Sequence, residues 1–526
     1  MNVAFDPWIP VVTTLGEKKM ASLCSVLAEG EEFADVAVRP HERVALMRLF
    51  LSVAHAALDG PQDYDEWCEV PQRLPKVVQN YLTKWKDVFE LFHKERPWLQ
   101  VAGLSKNALG NVSETDAEGW TPVSKLNFSF ATGNNSTLFD HGGMSDDRSI
   151  FIAETLLSML TFQCFSPGGL ISQVYWNGKQ SGKSSKDGPC VPASMIHAFL
   201  RAKDLQGTIH LNLPTCENVQ MSYGVRNFGR PVWEMPPAAM DDTSNIDNAT
   251  ATYVGRLVPM TRLIRLHPSG AKMLLGDGFI YPPFTDGFPS EPTATVVIRK
   301  NGKKEERALL SYRPAKAFWR ELAAIVVKRS AEGDGGPMSL RAIQDGDECD
   351  LIVAALARDQ ATIVDTAESV FHIPSRLRSV EGTGAYEAEV KIAESTANRL
   401  GWSIETYRQE IDGGWEGRLK GAGPSKGALK VKAKLHTMAT THYWTTVEKN
   451  LVLLMTHIEA IGTDRAIPTR EAWRKMFFAS ACDAYRIACG QDTPRQMRAF
   501  AKGWQKLTMK KDEPETDTQE TKEEDV

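Results

Sequence analysis

The sequence lacks the groupings on which most small-molecule chemistry rests. Its eight cysteines, at positions 24, 68, 164, 190, 216, 349, 482 and 489, include no C-x-x-C pair and stand beside no histidine pair at ligand spacing. A structural zinc site is therefore not expected, and neither is any other metal or cofactor. There is no helix pattern with paired zinc-binding histidines and no phosphohydrolase-type His-Asp pair. Long apolar runs are missing too: the most apolar stretch, Val44 to Leu58, is interrupted by Arg48 and His55. With no charged-then-apolar leader either, neither secretion nor membrane insertion is indicated, and the expected location is the cytoplasm with thiols reduced.

A strong charge of one sign is also absent. The formal net charge of −5 comes from the tail "DEPETDTQETKEEDV" (512–526), which has eight acidic residues and one lysine. Taking these from the totals of 66 acidic and 61 basic residues leaves 58 against 60, so the body is nearly neutral. Such a body meets nucleic acid, if at all, through local basic loops rather than a general field. The tail reads as a disordered, solubilising end.

What is present is an ordinary globular mixture, 42% hydrophobic and 24% charged over 526 residues, enough for two to four packing units. "FDPWIPVVTT" and "LGEKKMAS" read as two strands around a glycine turn, with Pro7 and Pro10 placing the first at a sheet edge. "RPHERVALMRLFLSVAHAALDGP" has helical periodicity, entered after Pro40 and stopped by Asp59-Gly60-Pro61. From about 105 to 290 the pattern breaks into loops, with a regular helix expected only near 148–162. Asn301-Gly302 then lies between two strand-like runs, and a second hairpin turns at Arg358-Asp359-Gln360.

Beyond Pro374 helical stripes take over: Val447, Leu451, Leu454 and Ile458, then Met497, Phe500, Trp504 and Leu507. Thr493-Pro494-Arg495-Gln496 is a capping box with proline at the first helical position. The expected fold is α+β: a large mixed α/β N-terminal domain (1–374) with long loops and projecting hairpins, a C-terminal four-helix bundle (375–510), and the acidic tail (511–526).

"WNGKQSGKSS" (176–185) comes close to a phosphate-binding loop. That loop needs four residues between its first glycine and Gly-Lys-Ser; Gly178 leaves only three before Gly182-Lys183-Ser184. Gly188, Pro189 and Pro192 occupy the place of the helix that should come next. The stretch reads as a flexible loop whose Lys179, Lys183 and Lys186 either face solvent or meet a phosphate backbone. An enzyme using the 176–188 loop with a nucleotide or metal is the rival reading. Asp140-His141 is one adjacent pair, which cannot assemble a metal site, because neighbouring side chains in extended chain point apart.

Three stretches together resemble a known family: "FDPWIPV" with the helix ending "AHAALDGP", the loop "TGNNSTLFDHGG", and "FSPGGL". In order and separation they are similar to the large subunit of type I-E Cascade, the CasA family of RNA-guided bacterial immune complexes. The resemblance implies a subunit without catalysis of its own that reads the motif flanking a target in double-stranded DNA from the minor groove, starts strand separation and R-loop formation, and recruits a helicase-nuclease. It implies as partners the backbone, small and handle-binding subunits and the CRISPR RNA.

It also implies residue roles. Pro167-Gly168-Gly169 matches a glycine loop whose bare backbone approaches a base edge. Lys272, with Ala271 beside it as the alternative, matches a lysine finger toward the minor-groove acceptors. Gln360, flanked by Arg358, Asp359 and Ala361, matches a wedge at a hairpin tip. Asn134 and Asn135 match a loop toward the guide RNA handle or neighbouring subunits, or form only a turn. Arg299, Lys300, Lys303 and Lys304, and Lys430 and Lys432 with Lys426 and Lys434, either line a duplex path or are simply solvated. A purely structural subunit is the third reading.

Overall fold

The computed structural model describes residues 1–108, 120–129, 150–183, 188–190, 194–224, 228–282, 291–301, 304–331, 333–344, 346–359, 362–411 and 426–509. The chain forms two compact units, Met1–Arg378 and Ser379–Val526. The first mixes short sheets with helices and the second is helical, so the fold is α+β.

The first unit opens with a three-stranded sheet in which Ile9–Thr13 is central, between Lys18–Ala21 and Phe33–Val36. This corrects the edge placement drawn from Pro7 and Pro10. Pairing with the third strand begins only at Val11, and the Pro10 carbonyl accepts from Ala37 N at 2.8 Å, just past that strand's end. In an extended strand the N–H lies on the same side as the carbonyl, so the donor that proline lacks falls where the ladder runs out.

The Pro40–Leu58 helix forms as expected, and it ends where Asp59 (φ 58°) and Gly60 (φ 69°) turn left-handed. It is buried nearly all round, which places it at the centre of the unit. His55 lies within it, ringed edge-on by Phe228 and Tyr253. Burial pushes its imidazole down to about 3.

The stretch read as loop-rich contains more helix than expected. Beside Ile152–Phe165 there are Leu205–Leu211, Cys216–Tyr223, Thr243–Ala251 and Tyr253–Leu257, each of these four begun by a side-chain cap from Asp204, Thr215, Asp242 or Thr252. They are too short to show periodicity, and their caps were the legible signal. Both expected hairpins form: Val296–Asn301 pairs with Lys304–Leu309, and Cys349–Asp359 with Thr362–Ile373.

In the second unit, helices Val380–Ile411, Lys426–Lys449, Leu451–Glu459, Ala466–Ala488 and Pro494–Thr508 make four rods, the second interrupted at Asn450. Val447, Leu454 and Ile458 are buried and Leu451 is half-buried. The last helix differs from its expected stripe. Thr493 caps it with Gln496 as the box predicts, but Met497 is exposed and Phe500 and Trp504 are half-buried, stacked on each other at 5.7 Å. Leu507 of the stripe is buried as expected, and Ala499 and Gly503 face inward with it. A Cβ on Gly503 would stand 2.0 Å from Tyr485 Oη and 2.6 Å from Ser403 O. The helix has turned its smallest residues to the seam because they allow the closest backbone approach.

Gly503 and His55 each give a measurable effect on stability. In a solvated helix Gly→Ala gains about 1 kcal/mol, whereas Gly503→Ala is expected to lower stability by about 1–3 kcal/mol through overpacking, measured by urea unfolding. For His55 the folded value lies below the ordinary 6.5, so the unfolded chain binds the proton first and stability falls as pH drops from about 6.5 toward 3. His55→Phe should reduce the slope of unfolding free energy between pH 6 and 5 by up to roughly 1.4 kcal/mol per pH unit.

Candidate nucleic-acid interface

The glycine loop is held from behind by charge. Arg262, 3% exposed, and Asp277, 2% exposed, face each other at 3.7 Å. The guanidinium donates to Ser166 Oγ at 3.0 Å, to Pro167 O at 2.7 Å and to Gly169 O at 3.1 Å. Asp277 in turn accepts from Ile171 N at 2.8 Å. Gln163, in the last turn of the Ile152–Phe165 helix, accepts from the backbone N–H groups of Thr261 (2.8 Å) and Arg262 (2.9 Å) and donates to the carbonyls of Leu99 and Arg262. A Cβ on Gly278 would meet Thr261 O at 1.6 Å, so only glycine lets the Asp277 segment lie this close.

These contacts pin the loop backbone between Ser166 and Ile171. Gly168 is itself buried, Gly169 is half-buried at φ 121°, and the open edge begins at Leu170, 62% exposed. Backbone accessible to a partner is thus found at Gly169 and beyond.

Lys272 is the first residue of the Lys272–Gly276 strand, half-buried and opposite Pro122. The same strand runs into Asp277, so the lysine and the clamp sit at opposite ends of five residues, roughly 16 Å apart at strand rise. The turn before Lys272 is ordered by His267, whose ring contacts Ser269 Oγ at 2.8 Å and lies edge-on to Trp120.

The long hairpin is braced along its length. Cys349–Asp359 lies between Thr362–Ile373 and Met195–Arg201, with pairing to the latter from Asp350↔Arg201 to Leu356↔Met195. Beyond that, Ser194 Oγ takes Arg358 N at 2.9 Å and donates to Arg358 O at 3.3 Å. Tyr312 Oη donates to Asp365 at 3.2 Å. Arg43, from the central helix, donates to Glu368 at 2.6 Å and also pairs with Asp35.

Between Ala357↔Asp365 and Arg358↔Ile363 the register slips, leaving Val364 as a bulge. A bulge raises the twist and re-aims the residues beyond it. Arg358 is half-buried and Asp359 exposed; Gln360 and Ala361 lie outside the described residues. The hairpin and the glycine loop share a wall: Phe165, one residue before the loop, packs on His197 of the neighbouring strand at 5.7 Å.

The remaining expected contacts are spread over both units. Residues 175–176 and 179–180 form a small hairpin whose turn residues Asn177 and Gly178 have φ 51° and 77°. Over residues 175–180 the stretch is a tight Asn-Gly turn rather than the flexible loop expected, and the Asn-Gly pair was its sequence signal; Lys186 lies outside the described residues. Lys179 is bonded to Asp241 at 2.7 Å, and Lys183 is exposed. On the 296–309 hairpin Arg299 is in register with Glu306 and Lys300 with Glu305. Lys304, Lys430 and Lys432 lie in regular elements. Lys303, Asn134 and Asn135 lie outside the described residues.

Among the described residues no group of three His, Cys, Asp or Glu is placed to hold a metal ion, and no helix is long and apolar enough to cross a membrane. The clamp of Gln163, Arg262 and Asp277 was missed in the sequence. An aspartate between two glycines at a strand end was its one trace.

A family model described as CRISPR-associated protein Cse1 matches residues 2–484. The chain belongs to the Cse1 family. A Thermus thermophilus relative, CRISPR-associated protein CasA/Cse1, is 26% identical over 528 residues, with 96% of each chain covered. Among solved structures, Thermus thermophilus CasA matches at TM-score 0.71 with 21% identity, covering 96% of this chain and 98% of that one. Thermobifida fusca Cse1 matches at 0.72 with 19% identity over 96% and 97%. A chain of a CRISPR RNA-guided surveillance complex matches at 0.69 with 18% identity over 96% and 99%. At these identities the structures establish the Cse1 fold.

Breaking a buried charge pair by removing one partner costs about 3–5 kcal/mol. In this Cse1 chain, Arg262→Met is expected to lose stability on that scale. It should also speed amide exchange at Ile171, read by hydrogen-exchange mass spectrometry, while leaving exchange in the 380–508 helices unchanged.

Proposed function

We propose that this Cse1 chain is the non-catalytic large subunit of an RNA-guided surveillance complex, reading the motif that flanks a target in double-stranded DNA and starting its separation. The observation that carries the reading is the pairing of a charge-clamped loop, residues 166–172, with a hairpin braced at Ser194, Tyr312 and Arg43 on one wall of one unit. Loop backbone near Gly169 senses the groove edge. Lys272 donates to acceptors that A·T and T·A pairs share, which suits tolerance of several flanking motifs.

Gln360, with Arg358, Asp359 and Ala361, enters between the first base pairs. The unstacking cost of a few kcal/mol is offset by contacts and by guide pairing. Base pairing supplies the sequence specificity. The other subunits and the CRISPR RNA hold the chain in place, Asn134 and Asn135 among its contacts, and a helicase-nuclease cuts.

With the assembled complex, Gln360→Ala should weaken binding of a fully matched duplex by tenfold or more, on the order of the unstacking energy, and spare a target already opened at the flank. Lys272→Ala should flatten the dependence of affinity on the flanking triplet. Equal losses on duplex and opened target would exclude the wedge. A triplet profile unchanged by Lys272→Ala would exclude the finger.

A further inference from the structure

The last helix, Pro494–Thr508, contains no acidic residue and four basic ones: Arg495, Arg498, Lys502 and Lys506. Spacings of three, four and four set them within an arc of roughly 80° at about 100° per residue. The row runs roughly 16 Å along the axis. Because Ala499, Gly503 and Leu507 take the seam, all four cations are left at the surface. Had the large residues Met497, Phe500 and Trp504 been buried instead, the helix would sit rotated and the row would aim elsewhere.

Among the described residues, acidic neighbours do not cancel the row. Lys502 pairs with Glu410 at 2.7 Å, but among the described residues Arg495 and Arg498 form no ion pair. Glu405, a carboxylate on the facing helix, is taken up by Arg408 at 2.6 Å. Arg399 of that helix adds a further cation beside the row's end, donating to the Leu507 and Met509 carbonyls at 3.2 Å each.

An aromatic ring lies beside these charges. Trp402, on the Val380–Ile411 helix, is 64% exposed, and Lys506 Nζ lies 5.5 Å from its ring centroid. A large ring left in water next to a row of cations fits one chemistry well. Cations in line track a phosphate backbone, and an open π face accepts a base that has left its stack. A duplex would use the cations and leave the ring unused, since its bases are already stacked.

We propose that this face of the C-terminal unit binds single-stranded nucleic acid, with phosphates along Arg495, Arg498 and Lys506 and a base on Trp402. The site is in a different unit from residues 166–172 and 358–361, so it does not depend on the flanking-motif reading.

The test uses the full chain and a fluorescein-labelled oligothymidylate, which has no duplex flank to read, in an anisotropy titration over a salt series. The triple change R495Q/R498Q/K506Q should reduce the slope of log affinity against log salt by about 2, at roughly 0.7 for each phosphate no longer neutralised on a single strand. Trp402→Ala should weaken binding about tenfold and Trp402→Phe should retain it. All the altered side chains are at the surface, and an unchanged thermal melt confirms that the variants fold. An unchanged salt slope in the triple variant would overturn the proposal. So would an unaffected Trp402→Ala, which would leave the row a surface for duplex phosphates or for acidic protein.

Discussion

The first unit is organised around one buried ion pair. Arg48, at the centre of the Pro40–Leu58 helix, pairs with Glu291, and both are buried. The same guanidinium donates to the carbonyls of Leu257 and Arg256 and to Cys190 Sγ, and it lies 5.9 Å from the Phe165 ring centroid. Glu291 also accepts from Thr293 Oγ at 3.4 Å, and Thr293 meets His197 at 2.8 Å. One charge therefore touches the end of the helix that leads into the glycine loop and the segment that leads into Arg262, and through Glu291 and Thr293 it reaches the sheet that carries the hairpin. An apolar cluster of equal volume could match its stability, because desolvating two ions is costly. What the pair adds is geometry, since every donor has one place to point.

That geometry also sets a protonation state. Burial, and then the Arg48 charge, hold His197 at about 3, so its ring is neutral. Its Nδ1 meets Thr293 Oγ1 at 2.8 Å, and Thr293 in turn contacts Glu291 at 3.4 Å. The imidazole is a fixed spacer between Phe165 and the sheet rather than a titrating group at neutral pH.

How much of this was legible depended on the range of each signal. Local chemistry read well: Pro40 and Asp59-Gly60 bounded the central helix, Asn301-Gly302 marked a hairpin, and Thr493 with Gln496 marked a helix start. Pro10 misled because its missing donor matters only where a neighbour extends past it, and strand order is not a local property. Of the Met497, Phe500, Trp504 and Leu507 stripe, Leu507 is fully buried and the other three are not, because Gly503 lets Tyr485 and Ser403 come closer than any larger residue could. Arg262 and Asp277 were out of reach altogether. A buried charge looks like a surface charge in sequence until its partners, from Gln163 to Ile171, are brought together.

A wedge must be stiffer than what it parts. Opening a base step costs a few kcal/mol, and a hairpin standing alone in water is marginal at best, so an unsupported tip would fray before a duplex did. The Cys349–Ile373 hairpin avoids this by keeping its first strand between two others up to Leu356, and then replacing the third strand with Ser194 at Arg358. Past Leu356 the ladder with Thr362–Ile373 continues, and its register slips at Val364. The glycine loop follows the same logic with different chemistry: held by Arg262 on its carbonyls and Asp277 on an amide, it would meet the proposed partner without first giving up conformational entropy. Two surface elements built from weak local structure are in this way made rigid by contacts that lie behind them, as the proposed reading of duplex DNA would need.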